Sequence, residues 1–216
     1  MITIPETVEN IIKKSPFLAE SLSQGIINIS ALARKIKRQV ENEVMKEIQI
    51  GAIVMALNRL SKRIQVKTTE GKKLFGSAPD LMVRSNLVEI TFVNSEFLLQ
   101  KQRFLLERID DSRNYFLTFT QGIFETTIIA GKELKPDIIA LFKDERIISQ
   151  FDNLSAITVL LPPGTALIPG AYDFILKSLA WESINIIEVV STFNEFTMIL
   201  NSIESDRAFS IINRLF

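Results

Sequence analysis

The chain contains no cysteine and no histidine in 216 residues. The first absence excludes disulfides and thiolate zinc sites, and the second removes the commonest metal ligand and general base. Ser-His-Asp and Cys-His nucleophilic systems therefore cannot be built from it. Neither a Gly-x-x-x-x-Gly-Lys-Ser/Thr phosphate loop nor a Gly-x-Gly-x-x-Gly turn occurs. No apolar run approaches the roughly eighteen residues of a membrane span. Met1 to Ser15 interleaves Glu6, Glu9, Lys13 and Lys14 with its apolar positions, unlike a signal peptide. The expectation is a soluble, cytoplasmic protein with no membrane partner.

Carboxylate and lysine chemistry remain formally open. The acidic doublets Asp110-Asp111 and Asp144-Glu145 are the candidates, but adjacent residues on a helix or strand point apart. Both doublets read as solvated surface pairs. The chain is accordingly expected to be no enzyme and to carry no cofactor and no metal.

What is present suits a folded chain, since 47% of the residues are hydrophobic, ample for a packed core. The 25 Lys/Arg balance the 25 Asp/Glu, yet unevenly: residues 1–80 hold 13 basic against 8 acidic side chains, and residues 81–216 hold 12 against 17. The front is basic and the back acidic. "TTEGKKLFGSAP" (68–79), with two glycines and a proline, marks a turn-rich boundary near the crossover.

The front half patterns as helices. Ser30 is the expected N-cap of "ALARKIKRQVENEV", where Leu32, Ile36 and Val40 form one stripe. A second helix is expected from Gln49 to Ile64, with Ile50, Ile53, Val54, Leu57, Leu60 and Ile64 on one face. "IQVKTTEGKKLF" then alternates like a short hairpin around Glu-Gly. This order resembles a winged-helix module, a resemblance that implies phosphate contacts, and so DNA as a partner, through Arg59, Lys62 and Arg63 of the helix and Lys67, Lys72 and Lys73 of the hairpin. Two features depart from that family: the connection "RQVENEVMKEIQ" exceeds a tight helix-turn-helix turn, and it carries Glu41, Glu43 and Glu47. A solvated basic face on a small helical domain is the alternative.

The back half alternates. "LVEITFV" (87–93) reads as a strand, "SEFLLQKQRFLLERI" (95–109) as a Ser-capped helix, "YFLTFTQGIFETTIIA" (115–130) as two strands about Gln-Gly, and "DIIALFKDERII" (137–148) as a helix. The order then recurs: "AITVLL" (156–161) as a strand, and a helix with Tyr172, Ile175, Leu176, Leu179 and Ala180 on one face. "INIIEVVST" and "EFTMIL" follow as strands around Asn194, then a helix with Ala208, Ile211, Ile212 and Leu215 inward. Two β-α-β-β-α copies about seventy residues apart make the chain α+β, with an N-terminal helical, winged-helix-like domain (1–80) followed by ferredoxin-like repeats at 86–150 and 154–216. On this reading Tyr172 belongs to the core rather than to a stacking site with Trp181.

The second copy, from "IPGAYDFILKSLAWESINIIEVVSTFNEFTMIL" to "DRAFSIINRL", resembles an ACT domain, the small-molecule-binding regulatory module of aspartate kinases and related proteins. Pro169-Gly170 at the head of the first helix, Leu179 late in it, Ile184 to Ile186 entering the second strand and the Asp206 to Leu215 helix carry the resemblance. The first copy resembles ACT only in element order. The resemblance implies a ligand site between the loop before the first helix and the second strand of a paired domain: Ile168, Pro169, Gly170, Ala171, Asn185 and Ile186. Physically, a glycine there lets backbone approach a ligand, and a helix N-terminus suits a carboxylate. Alternatively Gly170 only permits the turn and Asn185 satisfies local backbone. "VNSEF" in the first copy lacks Pro-Gly, and Glu96 would oppose an anion, so the site is expected on the second copy alone.

An ACT unit also has a fourth strand that the second copy lacks at Phe216. Either an upstream strand from residues 64–84 fills that edge or a second chain does, which would make a homodimer. The expected function is non-catalytic regulation by an amino acid or similar effector, in a ligand-responsive transcription factor or in a subunit docked on an amino-acid-biosynthesis enzyme such as an aspartate kinase.

Overall fold

The computed structural model describes residues 3–64, 79–109 and 115–216. It divides into two compact units, Met1–Glu70 and Gly71–Phe216.

The first unit is helical: α1 (Ile4–Lys13), α2 (Pro16–Ser23), α3 (Ile29–Val44) and α4 (Ile50–Arg63). Thr3 and Glu6 start α1 with a reciprocal capping box, each side chain accepting from the other's backbone N–H. The cap of α3 is Asn28, not Ser30: the Asn28 side-chain oxygen accepts from the Ala31 N–H at 3.0 Å, so the helix begins before the expected serine. The expected stripe of α3 is buried, as are Ile53, Leu57 and Leu60 of α4, against Val8, Ile11 and Ile12 of α1. Each such side chain contributes about 1.5–3 kcal/mol by leaving water. Glu41 turns back to accept the Ile48 N–H at 3.0 Å, tying the α3–α4 connection to the helix before it.

The second unit holds β1 (Leu81–Val93), α5 (Leu98–Arg108), β2 (Leu117–Gln121), β3 (Glu125–Gly131), α6 (Lys135–Leu141), β4 (Ile147–Leu160), α7 (Asp173–Trp181), β5 (Glu188–Ser191), β6 (Glu195–Asn201) and α8 (Ser205–Asn213). Its six strands form one antiparallel sheet in the order β2-β3-β1-β4-β6-β5. The two central strands are longer than expected because each serves both copies. Leu81–Arg84 of β1 pairs with Val159–Ala156 of β4, while Leu87–Phe92 pairs with β3 on one side and with the Leu154–Ile147 stretch of β4 on the other. The open edge of the second copy is thus filled from upstream within the same chain. Ile147 and Ile148, expected at the end of a helix, belong to this shared strand; α6 stops at Leu141.

Alternation along the strands separates two cores. Toward the helices, Ile90, Phe92 and Ile128 pack on Leu98, Leu105 and Ile138, and Ile157, Val159 and Met198 pack on Ile175, Leu179 and Ile212. On the opposite face Leu87 and Ile129 of the first copy cluster with Leu154, Ala156 and Ile199 of the second. That face is a buried junction between the copies, not a solvated surface.

Candidate functional site

After β4 the chain passes Gly164, at φ 87°, into a 3₁₀ turn at Thr165–Leu167, anchored by the buried Thr165 hydroxyl donating to the Pro162 carbonyl at 2.7 Å. Gly170 follows at φ 77°, and a Cβ built there would meet nothing within 4 Å. The glycine therefore answers to backbone handedness, since the left-handed region costs other residues about 1–2 kcal/mol. Ala171 is buried, whereas Pro169 and Gly170 are exposed. The Ala171 N–H donates to the Ile168 carbonyl at 3.2 Å and the Asp173 N–H to the Gly170 carbonyl at 3.1 Å, so the turn itself consumes two amides near the helix start.

The charge contrast between the copies runs opposite to expectation. Asp173 is the first residue of α7, where a carboxylate meets the positive helix end. Glu96 precedes α5 altogether, and the first turn of α5 has no acidic residue and no Ser cap.

Asn185 and Ile186 lie just before β5 rather than in it, although Ile187 already donates its N–H to the Ile199 carbonyl at 2.8 Å. Asn185 is exposed; Ile186 packs partly on the α7–α8 core. Both line a cleft of about 710 Å³ that also draws Ser149 and Phe151 from β4, Asn201 from β6 and Glu204 from the turn after it. None of Ile168, Pro169, Gly170 and Ala171 lines this cleft. The fold brings two of the six expected site residues together there and leaves the Pro-Gly loop elsewhere.

Glu89 of β1 also lines the cleft. It is 4% exposed, its register partners are Ile129 and Phe151, and its Oε2 atom has no hydrogen-bond partner among the described residues. Burial, and secondarily the nearby Glu188 carboxylate, push its acidity constant up to about 7, and burial also raises that of Glu188. The sequence carries one signal of this residue: it is the single charge within "LVEITFV". Alternation assigns it to the face away from the helices, which a lone sheet would leave in water. Covering of that face by the second copy is what makes the carboxyl unusual.

The remaining candidates disperse. On α4, Arg59 and Lys62 are exposed, while Arg63 is ion-paired with Glu9 of α1; Lys67, Lys72 and Lys73, with the expected hairpin, lie outside the described residues, as does Asp110-Asp111. Asp144 is exposed, but Glu145 is not a solvated partner to it: its side chain is 6% exposed and paired with the Lys101 ammonium at 2.7 Å. Tyr172 stacks on Phe196 with ring centroids 4.6 Å apart, as a core residue would, and Trp181 is 82% exposed.

No protein-family profile matches the sequence, and neither does any curated protein. Solved structures do. The aspartate kinase of Clostridium acetobutylicum superposes with a TM-score of 0.53 at 14% identity, over 65% of this chain and 35% of that one. Regulatory subunits of aspartate kinase from Thermus thermophilus (TM-score 0.52, 11% identity) and Thermus flavus (0.52, 10%) match over 65% of this chain and 99% of theirs. The likeness therefore spans about a third of the whole kinase and nearly all of the free-standing regulatory subunits. At these identities it is a likeness of fold, that of the regulatory domains of aspartate kinases.

Proposed function

We propose that this chain is a non-catalytic regulatory protein whose sheet-bearing unit binds an amino acid or a closely related small molecule. The observation that carries the reading is the near-complete coverage of free-standing regulatory subunits, whose names describe regulation and no catalysis. The sequence holds no histidine and no cysteine, two side chains on which nucleophilic and general-base catalysis commonly rests. The ACT-like copies, at about residues 86–150 and 154–216, share β1 and β4, and the effector contacts Ile168–Ala171 and Asn185–Ile186 of the second. Binding favours one arrangement of the copies, and the difference in affinity between arrangements sets the size of the response. Of the two destinations for that response, a docked biosynthetic enzyme is favoured over DNA, because the structures matched over nearly their whole length are regulatory subunits of an enzyme.

A thermal-shift screen against the twenty amino acids tests the reading, because a ligand that binds only the folded state raises its apparent stability. The expected result is one amino acid that raises the melting temperature in the wild type and not in Gly170→Glu or Asn185→Ala. Should none shift it at concentrations on the order of 10 mM, effector binding is abandoned and the unit is a scaffold.

A further inference from the structure

We propose that the cleft over Glu89 is a binding site for an organic cation of the primary alkylamine class, whose ammonium group pairs with the Glu89 carboxylate. A buried carboxyl without a partner must either keep its proton or hold a positive charge, since an isolated ionised carboxylate is costly in a dry site. Glu89 is buried, its Oε2 has no hydrogen-bond partner among the described residues, and the residue lines a cleft large enough for a small molecule.

The fold does not need an acid at this place. In the second copy Ala156 takes the equivalent position, opposite Ile199 as Glu89 is opposite Ile129, and it is equally buried. The carboxyl is therefore an addition to a junction that packs well with a methyl group.

The lining selects the ligand. Glu204 lines the cleft and Glu188 acts on Glu89 from β5, whereas among the described residues no lysine or arginine lines it. A zwitterion's carboxylate would be repelled, so an amine without an acid group fits better than an amino acid. Phe151, the register partner of Glu89, lines the cleft with Ile186, Ile187 and Ile203, which together offer apolar surface to an alkyl chain. The cleft shares Asn185 and Ile186 with the amino-acid reading but is independent of the Pro-Gly loop.

Pairing ionises Glu89, and its proton leaves to solvent. Titration calorimetry of the full chain with n-butylamine and 1,4-diaminobutane, in buffers of different ionisation enthalpy, reads that proton directly. Near pH 6 most of one proton is released per amine bound, and near pH 8.5 almost none, as expected for a group with an acidity constant of about 7. Glu89→Gln weakens binding by about tenfold or more. Glu89→Ala, matching the residue of the second copy, does the same and guards against misfolding of the glutamine variant, with circular dichroism as the check. Butyrate does not bind. The proposal is overturned if neither amine binds, if both variants bind as the wild type does, or if Mg²⁺ or Ca²⁺ takes the site in place of amines. An amino-acid response lost in Gly170→Glu and kept in Glu89→Gln belongs to the other site, so the two readings fail separately.

Discussion

Asn86 and Asn153 occupy equivalent places in the two copies, both at positive φ, 61° and 56°, each beside the irregularity where a central strand passes from one half of the sheet to the other. Asparagine tolerates this conformation better than other residues with a Cβ. It lets the extra residue of a bulge be absorbed, so that one strand completes its neighbour's sheet before entering its own. Asn86→Ala and Asn153→Ala are each expected to lower stability by about 1 kcal/mol, and Asn→Gly at either place by less. Urea unfolding with an unchanged denaturant slope checks this; an alanine variant as stable as the wild type would remove the asparagines from the account.

The copies repeat a second detail. Thr91 and Thr127 share a hydrogen bond at 3.0 Å on the junction face, and Thr158 and Thr197 share one at 2.7 Å. All four side chains are buried. A single Thr→Val change strands the partner hydroxyl and costs about 1–3 kcal/mol, whereas replacing both members keeps shape and leaves no orphan. The double variant Thr91→Val/Thr127→Val is therefore expected to be more stable than either single one, a coupling that a double-mutant cycle measures.

Lys101 and Glu145 join α5 to the segment after α6 at 2.7 Å, with side chains 19% and 6% exposed. Burial alone would raise the Glu145 carboxyl, but the hydrogen bonds from Lys101 and Ser95 outweigh it and hold it below its ordinary range. Removing the cation leaves a charge in a dry site, so Lys101→Met should cost about 3 kcal/mol at neutral pH. A depressed carboxyl stabilises the fold above its unfolded acidity constant and ceases to do so as the pH falls through its folded one. The gap between wild type and variant should accordingly close only as the pH falls below the ordinary glutamate range, as read in thermal melts.

Much of this architecture was legible in the alternation of the strands and in the three-and-four spacing of Tyr172, Ile175 and Leu179. The periods are local, and Ile175, Leu179, Ala208 and Ile212 are buried as expected, whereas Leu176 and Ala180 of the same expected stripe are exposed. What was not legible depends on pairing between distant segments. Nothing local in "MVRS" or "SQFDN" announces a strand, because those stretches gain their hydrogen bonds from the other copy. Ile147 and Ile148 continue a helical spacing and yet belong to β4, where Ile147 pairs with Phe92 of β1. Glu89 shows the same limit: alternation fixes its face, but only the assembled junction decides that the face is dry.

That buried carboxyl gives the fold an acid-side advantage opposite in sign to that of Glu145. Its folded acidity constant, about 7, exceeds the roughly 4.3 of an unfolded glutamate, so the native state holds a proton the unfolded chain has lost. The contribution is neutral below the unfolded value and becomes a penalty that grows as the pH rises between the two. It levels off above about pH 7, at no more than about 4 kcal/mol for such a difference. Glu89→Ala removes the titrating group and keeps the packing that Ala156 shows in the second copy. Its stability should match the wild type near pH 4.5 and exceed it by a margin that widens to pH 7.5, read from urea midpoints across that range. A margin that is constant with pH would mean that Glu89 is hydrated when ionised, and that the cleft carries no stored cost for a cation to relieve.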